Sequence, residues 1–274
     1  MTDDGSRSSV LPSPDEHLTT GWEPDVPASD TLVRRSVLAH ASWVVSVAES
    51  LGRPARRTDR WAGAFVGERG SLTNPVVVLR PLDEAGFGEV LSEVGEVVPA
   101  HAPYFLLSPF PTPDLREHGL ALIGHPPLMV RPPGGVAPDP APGVELEEVE
   151  DAQQLAAAER VLIEGYPMPD ASEGQVFGAT ILDGPTRVWL ASVDGQPAAV
   201  AAAHSAGDAV LVEYVAALAE ARGRGAGAAA TWAATLAEPG LPSVLVASDD
   251  GRPLYERMGY VPIERWTAWL RPAD

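Results

Sequence analysis

The chain has no cysteine and no lysine, and all 19 of its basic residues are arginine. The first absence excludes disulfides, thiolate nucleophiles and cysteine-ligated metal sites. The second removes lysine as a nucleophile or Schiff-base former. Basic charge is scarce altogether: against 38 acidic residues it leaves a formal net charge of -19. A nucleic acid demands a basic face, so no nucleic-acid partner is expected. No apolar run approaches a bilayer span, and the first thirty residues are acidic and lack the apolar region of a signal peptide. The expectation is therefore a cytoplasmic protein with no membrane partner.

The acidity suits a cationic acceptor such as an amine, or it merely keeps the protein soluble. Part of it lies outside any site, because residues 1–30 carry seven acids against one arginine. Residues 1–29, rich in Ser, Pro and Asp, read as a disordered acidic tail. What remains is 45% hydrophobic over a chain of 274 residues, enough for a sizeable core and for two domains. Between Pro132 and Gly143 stand five prolines, which stiffen the chain and remove backbone donors. Residues 132–142 are read as a linker between domains of residues 30–131 and 143–274. The fold class expected is α/β (α+β).

In the first domain a helix should run from an N-cap at Ser29 or Asp30 to about Leu51, with Val33, Val37, Ala41, Val44, Ala48 and Leu51 on one face. Strands are expected at Trp61 to Val66, Val76 to Leu79 and Tyr104 to Leu107, with a helix over Glu84 to Val97. A hairpin of Leu120 to Ile123 and Leu128 to Arg131 should close the unit. Arg53 to Arg57 has no following glycine and contains Pro54, so it reads as a solvated basic turn. In the second domain Val144 to Leu146 starts a strand and Asp151 to Glu164 forms a helix, broken at Gly165 to Pro169. Strands Arg187 to Val193 and Ala198 to His204 flank the hairpin turn Asp194-Gly195. A second turn, Gly207-Asp208, leads into the strand Val210 to Ala217. Three antiparallel strands thus feed a glycine-rich connection.

That connection carries Arg222, Gly223, Arg224, Gly225 and Gly227, and it leads into an alanine-rich helix, Ala228 to Ala237. Glycines let backbone approach a ligand closely, and the free N–H groups of a first helical turn point at it. The ligand such a turn suits is a phosphate or pyrophosphate. A P-loop needs Lys-Ser or Lys-Thr after the last glycine, but Ala228 and Ala229 stand there. A dinucleotide fold finds Gly225, Gly227 and Ala230 in its pattern, with Asp249 and Asp250 placed for a ribose. Against it, Leu218 to Arg222 separate strand from glycines, and too little chain remains beyond them for further parallel strands. An alanine-glycine helix start that binds nothing is the remaining alternative.

The spacing Arg222-x-x-Gly225-x-Gly227 resembles the pyrophosphate loop of the GNAT superfamily of acyl-CoA-dependent N-acyltransferases. Further on, Leu254-Tyr255-Glu256-Arg257-Met258-Gly259-Tyr260 resembles the second signature of that family. The resemblance spans Gly143 to Arg271. It implies a mixed, mostly antiparallel sheet flanked by helices in the second domain, and a degenerate GNAT-like copy that has lost cofactor binding in the first. It further implies acetyl-CoA as cosubstrate, no metal, and transfer of an acetyl group to a primary amine of a small molecule or peptide. A homodimer is compatible with it.

The residue roles come from the same resemblance. A central strand splayed from its neighbour would offer Val215, Ala216 and Ala217 to the pantetheine arm, and donors there can also stabilise an oxyanion. The loop Gly223, Arg224, Gly225, Ala226, Gly227 and Ala228, with Arg222, would hold the pyrophosphate. Tyr255 matches the tyrosine that protonates the departing thiolate, with a core aromatic as the alternative. Glu213 is costly inside an apolar strand without a task or partner. It is read either as the base for the incoming ammonium or as half of a salt bridge with an arginine. Ser248 stands where family members place an asparagine, and either touches the cofactor or caps the turn Asp249-Asp250-Gly251. Tyr166 and Met168 are candidate acceptor-lining residues. His204 is read as a surface or hydrogen-bonded histidine before a base, and Trp266 and Trp269 as opposite-facing residues of the final strand.

Overall fold

Two sheets and the helix wedged between them organise the chain. The structure is a computed structural model and describes residues 30–273 except 69, 71, 167, 169 and 170. The acidic tail expected over residues 1–29 lies outside these, as do Pro167 and Pro169. The first helix, α1 (Leu32–Ser50), is capped by Thr31, whose hydroxyl accepts from the Arg34 N–H, and not by Asp30; Ser29 lies outside the described residues. The Asp30 carboxylate is taken up one residue later by the Thr31 N–H. Among the described residues no helix is long and apolar enough to cross a membrane.

The first sheet holds β1 (Ala55–Arg57), β2 (Trp61–Ala64), β3 (Pro75–Val78), β4 (Tyr104–Ser108), β5 (Ala121–Gly124) and β13 (Thr267–Arg271), in the order β1-β2-β3-β4-β13-β5. The second is β6 (Pro127–Arg131), β7 (Val144–Glu148), β8 (Thr186–Val193), β9 (Gln196–Ala206), β10 (Ala209–Ala217), β11 (Ser243–Val246) and β12 (Val261–Arg265), in the order β12-β6-β11-β10-β9-β8-β7. Two expectations change here. Arg53 to Arg57 is not a free turn, since Ala55 to Arg57 pair with Ala64 to Ala62. The hairpin of residues 120–131 does not form. Instead β5 pairs with β13, and β6 inserts between β11 and β12. The reason is burial. Leu128 and Met129 are fully buried, which a strand gains only with a partner on each side, and β11 and β12 provide both.

The two sheets share one plan. In each, a parallel pair is joined through a helix: β3 to β4 through α2 (Glu84–Val94), and β10 to β11 through α4 (Ala226–Thr235). In each, the next strand outward is antiparallel and comes from the other half of the chain, β13 in the first and β6 in the second. Each half of the chain thus gives one strand to the other's sheet.

Three buried clusters result. Between the sheets, Val37, Val44 and Val47 of α1 pack with Leu155 and Leu162 of α3 (Ala152–Gly165) and with Leu190, Val200 and Leu211 of the second sheet. On the far face of the second sheet, Val210, Val212 and Leu245 pack under Ala226, Ala230 and Ala234 of α4. On the far face of the first, Val76, Val78 and Leu106 pack against Phe87 and Val90 of α2. Trp269 joins this last cluster. Trp266 precedes β13 and does not belong to it; it is fully buried between the sheets. The stretch of residues 132–142 is a strap laid against α4: the Gly134 N–H donates to the Pro239 carbonyl, and Pro138 and Pro140 lie by Trp232.

Candidate active site

The site begins with a fault in β10. Its register against β9 shifts between Glu213 and Ala216, and Tyr214 takes φ 51°, a left-handed backbone that a bulky residue rarely adopts. Such strain costs about 1–3 kcal/mol and persists only where the surroundings hold it. Here the Tyr214 ring is held edge-on by Trp43 at 5.0 Å and Phe177 at 5.4 Å. The bulge turns two successive side chains, Glu213 and Tyr214, to one cavity. Beyond it, Val215 and Ala217 pack on the α4 side and Ala216 on the inner side.

The second feature is a gap. β10 pairs with β11 only through Val210 with Ser243 and Leu211 with Val244. From Val212 onward the two strands have no pairing with each other, which is the splay the resemblance implied. At the far end of β10 a short 3-10 helix, Ala219–Ala221, leads into the glycine turn, and Gly225 at φ 91° is the N-cap of α4. Among the described residues no side chain caps that helix. The N–H groups of its first turn, from Ala226 to Ala228, have no intrahelical acceptor and remain available to an anion. A Cβ on Gly225 would stand 2.9 Å from the Ala141 side chain of the strap, so only glycine fits there without movement. Of the two arginines, Arg224 is engaged, its Nη2 donating to Asp194 Oδ2 at 2.6 Å. Arg222 is exposed beside the turn.

On the inner side the gap faces a cavity of about 450 Å³ walled by both halves of the chain. Val246, Ala247, Ser248 and Asp249 form its edge at the end of β11, and Glu213 and Tyr214 its edge at β10. Tyr166 and Met168 both line it, as does His40 from α1. Among the described residues Glu213 has no arginine partner. Its Oε1 lies 3.4 Å from His40 Nε2, and the His40 ring rests on Trp266 at 4.8 Å. Ser248 Oγ accepts from the Gly251 N–H at 3.1 Å, so the serine caps its turn while standing at the cavity edge.

Tyr255 does not line the cavity. It lies within the short helix α5 (Arg252–Arg257) on the α4 side, buried, with its ring edge-on to Tyr260 at 5.9 Å. Burial pushes its phenol above the ordinary value, and the charges of Tyr260, Glu213 and Tyr166 push the same way. It therefore keeps its proton across the physiological range, as a hydrogen-bond donor. Burial also raises Tyr166, with the Glu213 charge as the lesser cause. His204 is a hydrogen-bonded histidine, as one of its readings had it, and not a surface one. It is fully buried, bonded to Thr186 Oγ1 at 2.8 Å and Ser42 Oγ at 2.9 Å, and burial with the nearby His40 lowers its pKa to about 4.

The pattern of sheets, splay and uncapped turn has counterparts among solved structures. A GCN5-related N-acetyltransferase from Kribbella flavida matches with a TM-score of 0.61 at 24% identity, over 85% of this chain and 96% of that one. The chain has the GNAT fold. A GCN5-related N-acetyltransferase from Sphaerobacter thermophilus matches with a TM-score of 0.52 at 14% identity, over 90% of this chain and 94% of that one. Both shares exceed either half, so the GNAT fold is matched across both sheets together. No protein-family model matches the sequence, and no curated protein does.

Within this GNAT fold the residues that sequence reasoning missed come from the first half or from the bulge: His40, Trp43 and Tyr214. One signal pointed to His40. It lies three residues after Val37 and four before Val44, on the apolar face of α1, and Glu213 required a buried partner.

Proposed function

We propose that the protein is an acetyl-CoA-dependent N-acetyltransferase whose acceptor is a primary amine of a small molecule or peptide. The observation that carries this is the uncapped first turn of α4 beside the β10–β11 gap, which leads to the cavity edged by Glu213. The chain's own groups fit the cosubstrate: unpaired N–H groups for a pyrophosphate, a Gly225 without a Cβ, and an open strand edge for an amide-bearing arm. Acetyl-CoA supplies a thioester, whose acetyl carbon gains a bond to nitrogen as its bond to sulfur breaks, CoA leaving as the thiol.

The residues then act by position. Holding an amine beside the open edge of β10 turns a bimolecular encounter into a unimolecular one, which can supply about 7–11 kcal/mol of barrier reduction. A primary amine of pKa about 10 is largely charged at neutral pH, so a proton must leave it, and Glu213 at the cavity edge is the acceptor we assign. Backbone N–H groups of Val215 and Ala217, on the open edge of β10, donate to the oxygen that gains charge. Tyr255, fixed in its protonated form, donates to the departing sulfur.

The first test is thermal: acetyl-CoA at a hundred times its Kd should add about 2.7 kcal/mol to stability, and NAD should add nothing. The second measures CoA release over an amine panel, with Tyr255→Phe expected to lower kcat about tenfold to a hundredfold at unchanged acetyl-CoA KM. Stabilisation by NAD alone would overturn the reading. Binding of acetyl-CoA without turnover by either protein would make the chain an idle acyl-CoA-binding module.

A further inference from the structure

We propose that the cavity between the two sheets takes the acceptor as a small monoamine on an apolar body, with its ammonium held between Glu213 Oε1 and His40 Nε2. This rests on the acetyl-transfer reading and names the substrate class for it.

The tautomer of His40 is set by its surroundings. Its Nδ1 lies 2.7 Å from the carbonyl oxygen of Ser36, which can only accept, so Nδ1 carries a proton. In the neutral ring Nε2 then presents a lone pair. That atom is buried and has no hydrogen-bond partner among the described residues. The carboxylate oxygen 3.4 Å away is a second acceptor. Two adjacent acceptors repel, and an unmatched buried one is unfavourable, unless a group rich in donors bridges them. A primary ammonium has three donors and one positive charge. It satisfies both atoms at once.

The same arrangement gives the proton a destination. The Glu213 carboxylate accepts it, as assigned above, while His40 Nε2 holds the nitrogen through a second N–H, and a lone pair is left on the amine nitrogen. That nitrogen forms the new bond to the acetyl carbon and sheds a second proton, which balances the thiolate released. His40 comes from the first half of the chain, so the half without an open glycine turn completes the site for the acceptor.

The rest of the wall defines the body that the nitrogen carries. Val44, Val77, Phe105, Leu107, Ile123 and Ala268 line it, and all are apolar. The other charged or titratable side chains on it are Asp249, which is exposed, together with His125, Tyr166 and Tyr214. A second cation on the substrate would meet hydrocarbon, whereas each added methylene should tighten binding about fourfold. A volume of about 450 Å³ suits a small molecule.

Calorimetry on the full chain tests this with 2-phenylethylamine, putrescine and a lysine-containing peptide. Phenylethylamine should bind at least tenfold tighter than either of the others. His40→Gln should weaken it about tenfold or more, with acetyl-CoA affinity unchanged. Ile123→Trp, at a half-exposed position on β5, should block the cavity and weaken phenylethylamine by a similar factor, again without affecting acetyl-CoA. This second variant carries the test if His40→Gln fails to fold. Tighter binding of putrescine or the peptide, equal binding by wild type and Ile123→Trp, or no amine binding where acetyl-CoA does bind would each overturn the proposal. Phenylethylamine binding as described, with acetyl-CoA inert, would leave the cavity assignment standing and remove the acetyl-transfer reading instead.

Discussion

The two halves make the same turn from strand to helix and finish it differently. After β3 the chain passes Arg80 and Pro81 to Asp83, whose carboxylate caps α2 by accepting from the Gly86 N–H at 2.8 Å. Glu84 adds a second acid to that first turn. After β10 the corresponding place is taken by Gly225, and among the described residues no side chain caps the first turn of α4. The neighbouring strands differ in the same sense. Three of the four residues of β3 pair with β4, while only two of the nine in β10 pair with β11. A helix N-terminus invites an anion only where the chain has not supplied its own. The first half answered its helix internally; the second left both helix and strand edge open.

That contrast is most directly broken by making one turn like the other. Gly225→Asp would bring a carboxylate to the start of α4 and a Cβ into Ala141, and should lower acetyl-CoA affinity at least a hundredfold by calorimetry. A smaller effect is expected where the halves meet, at His204, which joins β9 to Ser42 of α1. Its folded pKa of about 4 lies below the ordinary 6.5, so below that value the unfolded chain binds the extra proton. The stability it secures is complete above pH 6.5 and is lost as pH falls toward 4. Between pH 7.5 and 5 this amounts to about 2 kcal/mol, to be read as the difference between urea melts of wild type and His204→Asn.

Next in size is the pair of arginines. Arg222→Ala should raise acetyl-CoA KM about tenfold, the worth of one charge-assisted bond. Arg224→Ala should change it less than about threefold, because that side chain already serves Asp194. Smallest is Asp83→Ala. It should cost about 1 kcal/mol in denaturant melts by removing the cap. It should confer no second acetyl-CoA equivalent, since β3 and β4 remain paired.

Local signals made the glycine turn legible: Asp194-Gly195 and Gly207-Asp208 marked the strands before it, and both turns take positive φ at their aspartates. The arginine-glycine spacing marked the turn itself. The bulge was not legible, because Tyr214 belongs to no turn-forming class and its backbone is held by rings at Trp43 and Phe177, far away in sequence. Nor was the partner of Leu128 to Arg131. An apolar run between prolines says strand, but the choice between β5 nearby and β11 over a hundred residues later is made by burial of the whole sheet. His40 escaped for a related reason: its chemistry depends on Glu213, and nothing in α1 alone distinguishes it from a buried core histidine.

The crossing of β6 and β13 bears on how the molecule could be divided. A cut in the proline strap would leave one fragment carrying β6 without its sheet and lacking β13 between β4 and β5. The other would carry β13 and lack β6 between β11 and β12. Each fragment would expose naked strand edges that fit the missing ribbon, and such edges recruit whatever strand is offered. Mixed together, the fragments should reassemble by trading ribbons; kept apart, each should gather copies of itself.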